Sequence, residues 1–306
     1  MNTVRFVILG AGVMGQGLAE AIAQSGYELY LVDRTPERAQ HGHLQISLAL
    51  DREIERWGLT KGEKKAILAR ILPTDEINVV RDAEIIVEAV PEDLKAKREV
   101  LSRIDYLCRP DAVIVTNTAT LSITELSSSM THPGRLIGMH FLNPVARVPL
   151  VEIVKGMKTD RATFNKAVST AEMLGKKWIT VNESPGYVTT RVVVPMINEA
   201  INVLMEGVAS AEDIDDAMKL GFGFNTGPLT LADMTGLDVI LAWMNNLHNE
   251  RFSPIYAPSP LLRKMVRAGH LGAKAGKGFF DYDRDGNKVK KDETYIEQQM
   301  AEWGQV

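Results

Sequence analysis

The sequence predicts an α/β domain built on a parallel sheet, followed by a domain made only of helices. Three observations carry this. Short apolar runs alternate with amphipathic helical segments through the first 184 residues. A glycine-rich turn, Gly10-Ala11-Gly12-Val13-Met14-Gly15, stands between the first apolar run and the first helical segment. After Ser184-Pro185-Gly186 strand signals nearly vanish and helical periodicity takes over. The boundary is therefore placed at residue 184, with domains over 1–184 and 185–306. At roughly 100–200 residues per domain, the chain has room for two.

Taken in order, Arg5 to Leu9 reads as a buried strand and Val13 to Ser25 as a helix ending at Gly26. Glu28 to Val32 is a second strand, closed by Asp33. From Pro36 to about Ala69, apolar residues at Leu44, Leu48, Ile54, Trp57, Ile67 and Leu68 suit two amphipathic helices joined near Gly58 to Gly62. Strands follow at Ile85 to Val87, Val113 to Thr116, Arg135 to His140, Leu150 to Val154 and Trp178 to Val181. Helices over Leu94 to Leu107 and Ala162 to Leu174 lie between them. The second domain reads as helices over Val188 to Glu206, Ala211 to Leu220, Leu229 to Asn249 and Pro260 to Ala268.

Composition narrows the function classes. A net charge of −4 with both signs mixed argues against nucleic acid as the main partner. No apolar run reaches the roughly 18 residues needed to span a bilayer, so no membrane is expected. The start of the chain runs directly into a strand without signal-peptide regions, which makes the cytoplasm the default expectation, though a processed organellar protein would look the same. Cys108 is the single cysteine and reads as a small buried residue at a helix end. No CxxC or Cys/His cluster is present, so no metal is expected.

Gly10, Gly12 and Gly15 have the GxGxxG spacing of a Rossmann-type dinucleotide-binding turn. Gly10 permits a tight turn. Gly12 lets the backbone approach a pyrophosphate. Gly15 lets helix and strand pack closely. The helix N-terminus, with Val13 and Met14, would face the phosphates. Asp33, closing the second strand, would accept hydrogen bonds from the adenosine ribose and repel a 2′-phosphate, which favours NAD over NADP. Arg34, directly after it, would soften that preference.

Other motifs complete the pattern: Glu88-Ala89-Val90-Pro91-Glu92, Thr116-Asn117-Thr118, Gly138-Met139-His140-Phe141-Leu142-Asn143-Pro144, Leu150-Val151-Glu152 and Ser184-Pro185-Gly186-Tyr187. Asp213-Ile214-Asp215, Gly227-Pro228 and Gly272-Ala273-Lys274-Ala275-Gly276-Lys277-Gly278-Phe279 follow. Together, and in this order over nearly the whole chain, they resemble the L-3-hydroxyacyl-CoA dehydrogenases. The resemblance implies a Rossmann-type NAD-binding domain followed by an all-α dimerisation domain, and a homodimer. It implies interconversion of a 3-hydroxyacyl thioester and its 3-ketoacyl thioester. His140 matches the family's catalytic histidine and Glu152 the carboxylate that orients it. Glu92 and Lys97 fall on positions near the nicotinamide ribose, Asn117 beside the nicotinamide, and Lys274 on a cofactor-contacting lysine. Asn143, beside the histidine motif, joins the cofactor-binding set.

The chemistry of these residue types agrees. Oxidising an alcohol carbon by hydride transfer also removes the hydroxyl proton, and histidine can take and return one near neutral pH. A carboxylate on its other nitrogen fixes the tautomer. Glu92 also reads as a favourable acid in the first turn of a helix, and Lys97 as a solvated helix lysine.

Two positions depart from the family. It has serine after its Asn-Thr pair, where this chain has Ala119. It has asparagine before the arginine of the helix after Pro-Gly, where this chain has Thr190 before Arg191. Thr118 or Thr120 could supply the missing hydroxyl, the enzyme could be slow on ordinary 3-hydroxyacyl-CoA, or its substrate could be a non-CoA hydroxy acid or cyclic alcohol. A weakly catalytic NAD-binding module is a further reading. For the CoA phosphates the long helical segment offers Arg52 and Arg56, but the acids among them favour a solvated mixed-charge helix for most of its basic side chains.

Overall fold

The computed structural model describes residues 5–55, 58–283 and 286–289. The chain divides into two compact units, one running to Tyr187 and the other starting at Val188.

The first unit is a sheet of eight strands: β1 (Phe6–Leu9), β2 (Leu29–Val32), β3 (Ile71–Thr74), β4 (Ile85–Glu88), β5 (Val113–Thr116), β6 (Leu136–Phe141), β7 (Leu150–Lys155) and β8 (Lys177–Asn182). Their spatial order is β3-β2-β1-β4-β5-β6-β7-β8. The short apolar runs are buried on both faces, and alternate residues serve opposite layers. Phe6 and Ile8 join one core cluster, Val7 and Leu9 the other. Helices α1 (Val13–Gln24), α2 (Pro36–Glu55), α3 (Lys61–Ala69) and α6 (Arg161–Met173) cover the first layer through Leu18, Ile22, Ile46, Leu50, Ile67 and Ala167. Helices α4 (Leu94–Leu107) and α5 (Ile123–Ser127) cover the second through Leu101, Ile104, Ile123 and Leu126. Cys108 caps α4 and is buried in that layer. The α3 start is fixed by a capping box between Thr60 and Glu63.

Three expectations need correction. The sheet is mixed rather than parallel: β7 pairs antiparallel with β6, and β8 parallel with β7. The connection over 142–149 is too short for a parallel crossover, which needs a dozen or more residues, so the chain must turn back. Strand β3 was not foreseen. It is a four-residue edge strand carrying Pro73, a residue that lacks an N–H and is tolerated at edges. The single helix expected over Leu229 to Asn249 is two, α9 (Pro228–Thr235) and α10 (Leu237–Arg251). Gly236 between them has φ +103°, which no helix accommodates.

The second unit adds α7 (Thr189–Met205), α8 (Ala211–Phe222) and α11 (Pro260–Arg267) to α9 and α10. Ile197, Ile201, Leu229, Ile240, Met244, Leu262 and Phe279 form its core. One buried carboxylate pins its end: Asp233 accepts the Phe279 and Phe280 amides at 3.0 and 2.9 Å and the Tyr282 hydroxyl at 3.1 Å. Burial dominates over these donors and pushes the Asp233 carboxyl up to about 6.

Candidate active site

The sheet register places the carboxyl ends of β1, β4 and β5 in a row, with Leu9 opposite Glu88 and Glu88 opposite Thr116, while β6, whose Gly138 faces Thr116, runs three residues beyond them to Phe141. Open α/β sheets place ligands outside this edge. The glycine turn, Asp33, Glu92 and residues 117–120 stand in the loops that leave this edge.

The glycine turn follows β1. A Cβ on Gly10, where φ is +107°, would stand 2.6 Å from the Ala89 carbonyl oxygen, and one on Gly15 1.7 Å from that of Gly10. These two glycines are demanded by the fold itself. A Cβ on Gly12 would meet nothing within 4 Å. Its side opens outward, so nothing in the chain requires glycine there. The α1 N-terminus that follows has no side-chain cap and no acid in its first turn. Its amides therefore present positive partial charge with no side-chain acceptor of opposite sign among the described residues. Exposed Val13 and half-buried Met14 begin that helix. This outward cradle with uncapped amides fits a dinucleotide pyrophosphate.

Asp33 ties the turn down. Its Oδ2 accepts the Ala11 amide at 2.9 Å, and its Oδ1 accepts the Arg34 amide at 2.7 Å and Arg38 Nε at 2.8 Å. Burial opposes the charge, but those two amides and the guanidinium prevail and hold the carboxyl below the usual range. Arg38 went unnoticed in the sequence. Its signal was a cation in the first turn of the next helix, five residues on.

Beneath the next two loops lies a buried ion pair. Lys97 Nζ donates to Glu88 Oε1 and Oε2 at 2.8 and 3.0 Å and to the carbonyls of Val90 and Asn117, both at 3.2 Å. Both side chains are fully buried. Glu88 also accepts the Val90 amide at 2.7 Å and the Thr116 hydroxyl at 2.6 Å. The reading of Lys97 as a solvated helix lysine is thus overturned. Nor does its side chain have surface to offer a ligand here, because its ammonium joins the loops after β4 and β5. Glu88 is a site-building residue that sequence reasoning passed over. The signal was an acid ending an otherwise apolar strand.

Glu92 works one layer out. Its Oε1 accepts the Thr118 hydroxyl at 2.6 Å, the Ala119 and Thr120 amides at 2.9 and 3.0 Å, and the Thr120 hydroxyl at 3.1 Å. The Leu121 amide donates to Thr118 Oγ1 at 3.0 Å. The hydroxyls expected to replace the serine missing at Ala119 are therefore already donating to Glu92.

His140 and Glu152 are cross-strand partners in the antiparallel β6–β7 pair. His140 Nδ1 lies 2.6 Å from Glu152 Oε2, with the histidine nearly buried and the carboxylate fully so. The carboxylate assigns the proton to Nδ1 and leaves Nε2 to accept one. Asn117 Oδ1 accepts the Phe141 amide at 3.1 Å and joins the ends of β5 and β6. Tyr187 packs its ring 5.7 Å from the imidazole and donates its hydroxyl to the Leu121 carbonyl at 3.0 Å. Burial, reinforced by Glu92, Glu183 and Glu152, pushes that phenol well up, so it stays protonated.

The remaining sequence-selected residues stand elsewhere in the chain. Asn143 is exposed on the loop after β6, and Arg52 is exposed near the end of α2. Arg56 lies outside the described residues. In the second unit, Lys274 pairs with Asp238 at 2.5 Å. Thr190, also there, is buried, and its hydroxyl has no hydrogen-bond partner among the described residues.

Residues 5–184 match the family model for the 3-hydroxyacyl-CoA dehydrogenase NAD binding domain, and residues 186–282 match that family's C-terminal domain. The chain belongs to the 3-hydroxyacyl-CoA dehydrogenase family. A probable 3-hydroxybutyryl-CoA dehydrogenase of Bacillus subtilis is 41% identical, over 92% of this chain and 99% of that protein. The human mitochondrial hydroxyacyl-coenzyme A dehydrogenase is 34% identical, over 90% of each. The crystal structure of the (S)-3-hydroxybutyryl-CoA dehydrogenase of Ralstonia eutropha matches with a TM-score of 0.82 and 41% identity, over 92% of this chain and all of that one. As a 3-hydroxyacyl-CoA dehydrogenase, the chain is an NAD-dependent oxidoreductase whose first unit is the nucleotide-binding one. No helix among the described residues is long and apolar enough to cross a membrane.

Proposed function

We propose that this chain interconverts a short-chain L-3-hydroxyacyl-CoA and the corresponding 3-ketoacyl-CoA, with His140 as the acid/base and Glu152 as the group that orients it. The buried 2.6 Å contact between His140 Nδ1 and Glu152 Oε2 carries this reading. NAD would supply the hydride chemistry when bound. The glycine turn and the α1 N-terminus would hold its pyrophosphate and Asp33 its adenosine ribose. Asn117 and Asn143 would serve its nicotinamide end, and Lys274 would be a further cofactor-binding residue. Glu92 and Lys97 shape this site by holding the loops over 88–92 and 117–121. His140 Nε2 takes the substrate hydroxyl proton in oxidation, and the Glu152 carboxylate stabilises the imidazolium that results. In the reverse direction the same imidazolium returns the proton.

With alanine at 119 and both neighbouring hydroxyls on Glu92, the 118–120 loop contributes shape rather than donors to the substrate. Losing one preorganised donor costs about 3–4 kcal/mol of transition-state stabilisation where the donor matters. That observation favours a second reading: a free hydroxy acid or cyclic alcohol in place of the thioester. Thr190 belongs to the substrate set in either case, and Arg52 and Arg56 are the candidate contacts for the CoA phosphates. Residues 185–306 are read as the substrate and dimerisation domain, the assembly as a homodimer, and the compartment as the cytoplasm.

The deciding assay follows NADH consumption with acetoacetyl-CoA and with free acetoacetate. Turnover confined to the thioester is the expected result. Turnover confined to the free acid would replace the first reading with the second. Sedimentation of the full chain checks the dimer.

A further inference from the structure

Asp33 does not stand alone. The carboxylate is mostly buried, while the Arg38 side chain that holds its Oδ1 is two-thirds exposed. Only Nε of Arg38 is used in that contact, and a guanidinium carries further N–H groups in a fixed fork that suits phosphate. Arg34 and the start of α2 adjoin the same carboxylate, with exposed Glu37 as the one opposing charge in the first helical turn. An acid that would repel a 2′-phosphate is thus ion-paired to a cation that would bind one.

We propose that nucleotide selection is set by the Asp33–Arg38 pair, and that Arg38, aided by Arg34, is a latent site for the 2′-phosphate of NADPH that the Asp33 carboxylate holds closed. This rests on the reading of Asp33 as the ribose-binding residue. Neutralising the carboxylate removes the repulsion and frees the guanidinium at once. Asparagine at 33 keeps an oxygen to accept the Ala11 amide, so the turn keeps its tether while the charge is lost. In the wild type the paired cation offsets part of the repulsion, so removing it sharpens the discrimination.

The test is a fluorescence titration of the full chain with NADH and NADPH, which needs no turnover. Asp33→Asn raises NADPH affinity by about tenfold or more, the change that one charge-assisted contact supplies. Adding Arg38→Ala to that variant removes most of the gain. Arg38→Ala alone, on an exposed side chain, lowers the ratio of NADPH to NADH affinity by about threefold. The proposal is overturned if Asp33→Asn brings no gain for NADPH, if the gain survives loss of Arg38, or if Arg38→Ala alone leaves the ratio unchanged. A wild type that takes up neither nucleotide overturns the cofactor reading itself. A wild type that binds NADH while the variants fail these expectations sinks only the role given to Arg38.

Discussion

Two turns leave the same edge of the sheet, and they treat their backbone amides in opposite ways. The turn after β1 ends in an uncapped helix N-terminus with no acid in its first turn. The loop after β5 folds its amides and hydroxyls onto a single oxygen of Glu92. Buried or converging N–H groups need an acceptor, and the two turns find it differently. One is completed by the chain's own carboxylate. The other is left for an anion from outside. The difference teaches where, on the proposed reading, binding energy for a ligand is available along this edge: at the glycine turn for a phosphate rather than at the loop after β5, whose donors Glu92 already takes.

The largest test of this contrast is Lys97, which underlies the self-completed loop. Lys97→Met leaves the Glu88 carboxylate buried without its countercharge, and such a break costs about 3–5 kcal/mol. Denaturant unfolding should show a loss of that size, and adding Glu88→Gln should recover a good part of it. A Lys97→Met chain as stable as the wild type would mean that the loop does not depend on the ion pair. The next test is His140→Gln. Turnover should fall by a factor of about 100 or more while NADH affinity changes little. Near-normal turnover would show that the proton goes elsewhere, and the loop would have to be searched again for a donor.

What could be read from the sequence follows the same division. Gly10, Gly12, Gly15 and Asp33 are legible because a tight turn, a phosphate approach and a strand end each impose a residue type at a short, fixed spacing. His140 and Glu152 are legible as a pair through the resemblance. What brings them face to face is the antiparallel return of β7, and the spacing alone leaves that return open. The Glu92 clamp was not legible. Its partners lie 26 to 28 residues away, on a loop whose path depends on the whole sheet. Lys97 misled because a lysine in a helix reads as solvated, and nothing local reveals that its helix face points at a buried acid. The edge strand β3 escaped because four residues with a proline make a weak signal. Its pairing with β2 is a tertiary fact.

A third carboxylate, Asp233 in the second unit, extends the comparison by using the Glu92 device under deeper burial. Its carboxyl is raised to about 6, against an ordinary value of 3.8. Between those two values the folded chain holds a proton that the unfolded chain has released. Stability contributed by this group is therefore present at low pH and is lost as pH rises through about 6, levelling above it. A shift of this size corresponds to about 3 kcal/mol at most. Unfolding free energies from pH 4 to 7, measured on the wild type and on Asp233→Asn, should diverge by about 2–3 kcal/mol in that direction. Parallel curves would mean that the three donors keep the Asp233 carboxylate charged throughout.

The smallest effect expected is also the most direct comparison of the two turns. Gly12→Ala places a methyl group where the chain itself has nothing within 4 Å. The fold should tolerate it: alanine in place of glycine at a helix N-cap costs at most about 1 kcal/mol, and the melting temperature should move by only a few degrees. NADH affinity should nevertheless fall by about tenfold, because the methyl occupies the approach of the pyrophosphate. Ala119→Ser makes the complementary change in the closed loop, restoring a hydroxyl where the family has one. It should leave NADH affinity within about twofold and act on the turnover of acetoacetyl-CoA. If Gly12→Ala spared NADH while Ala119→Ser weakened it, the open and closed turns would have to exchange roles.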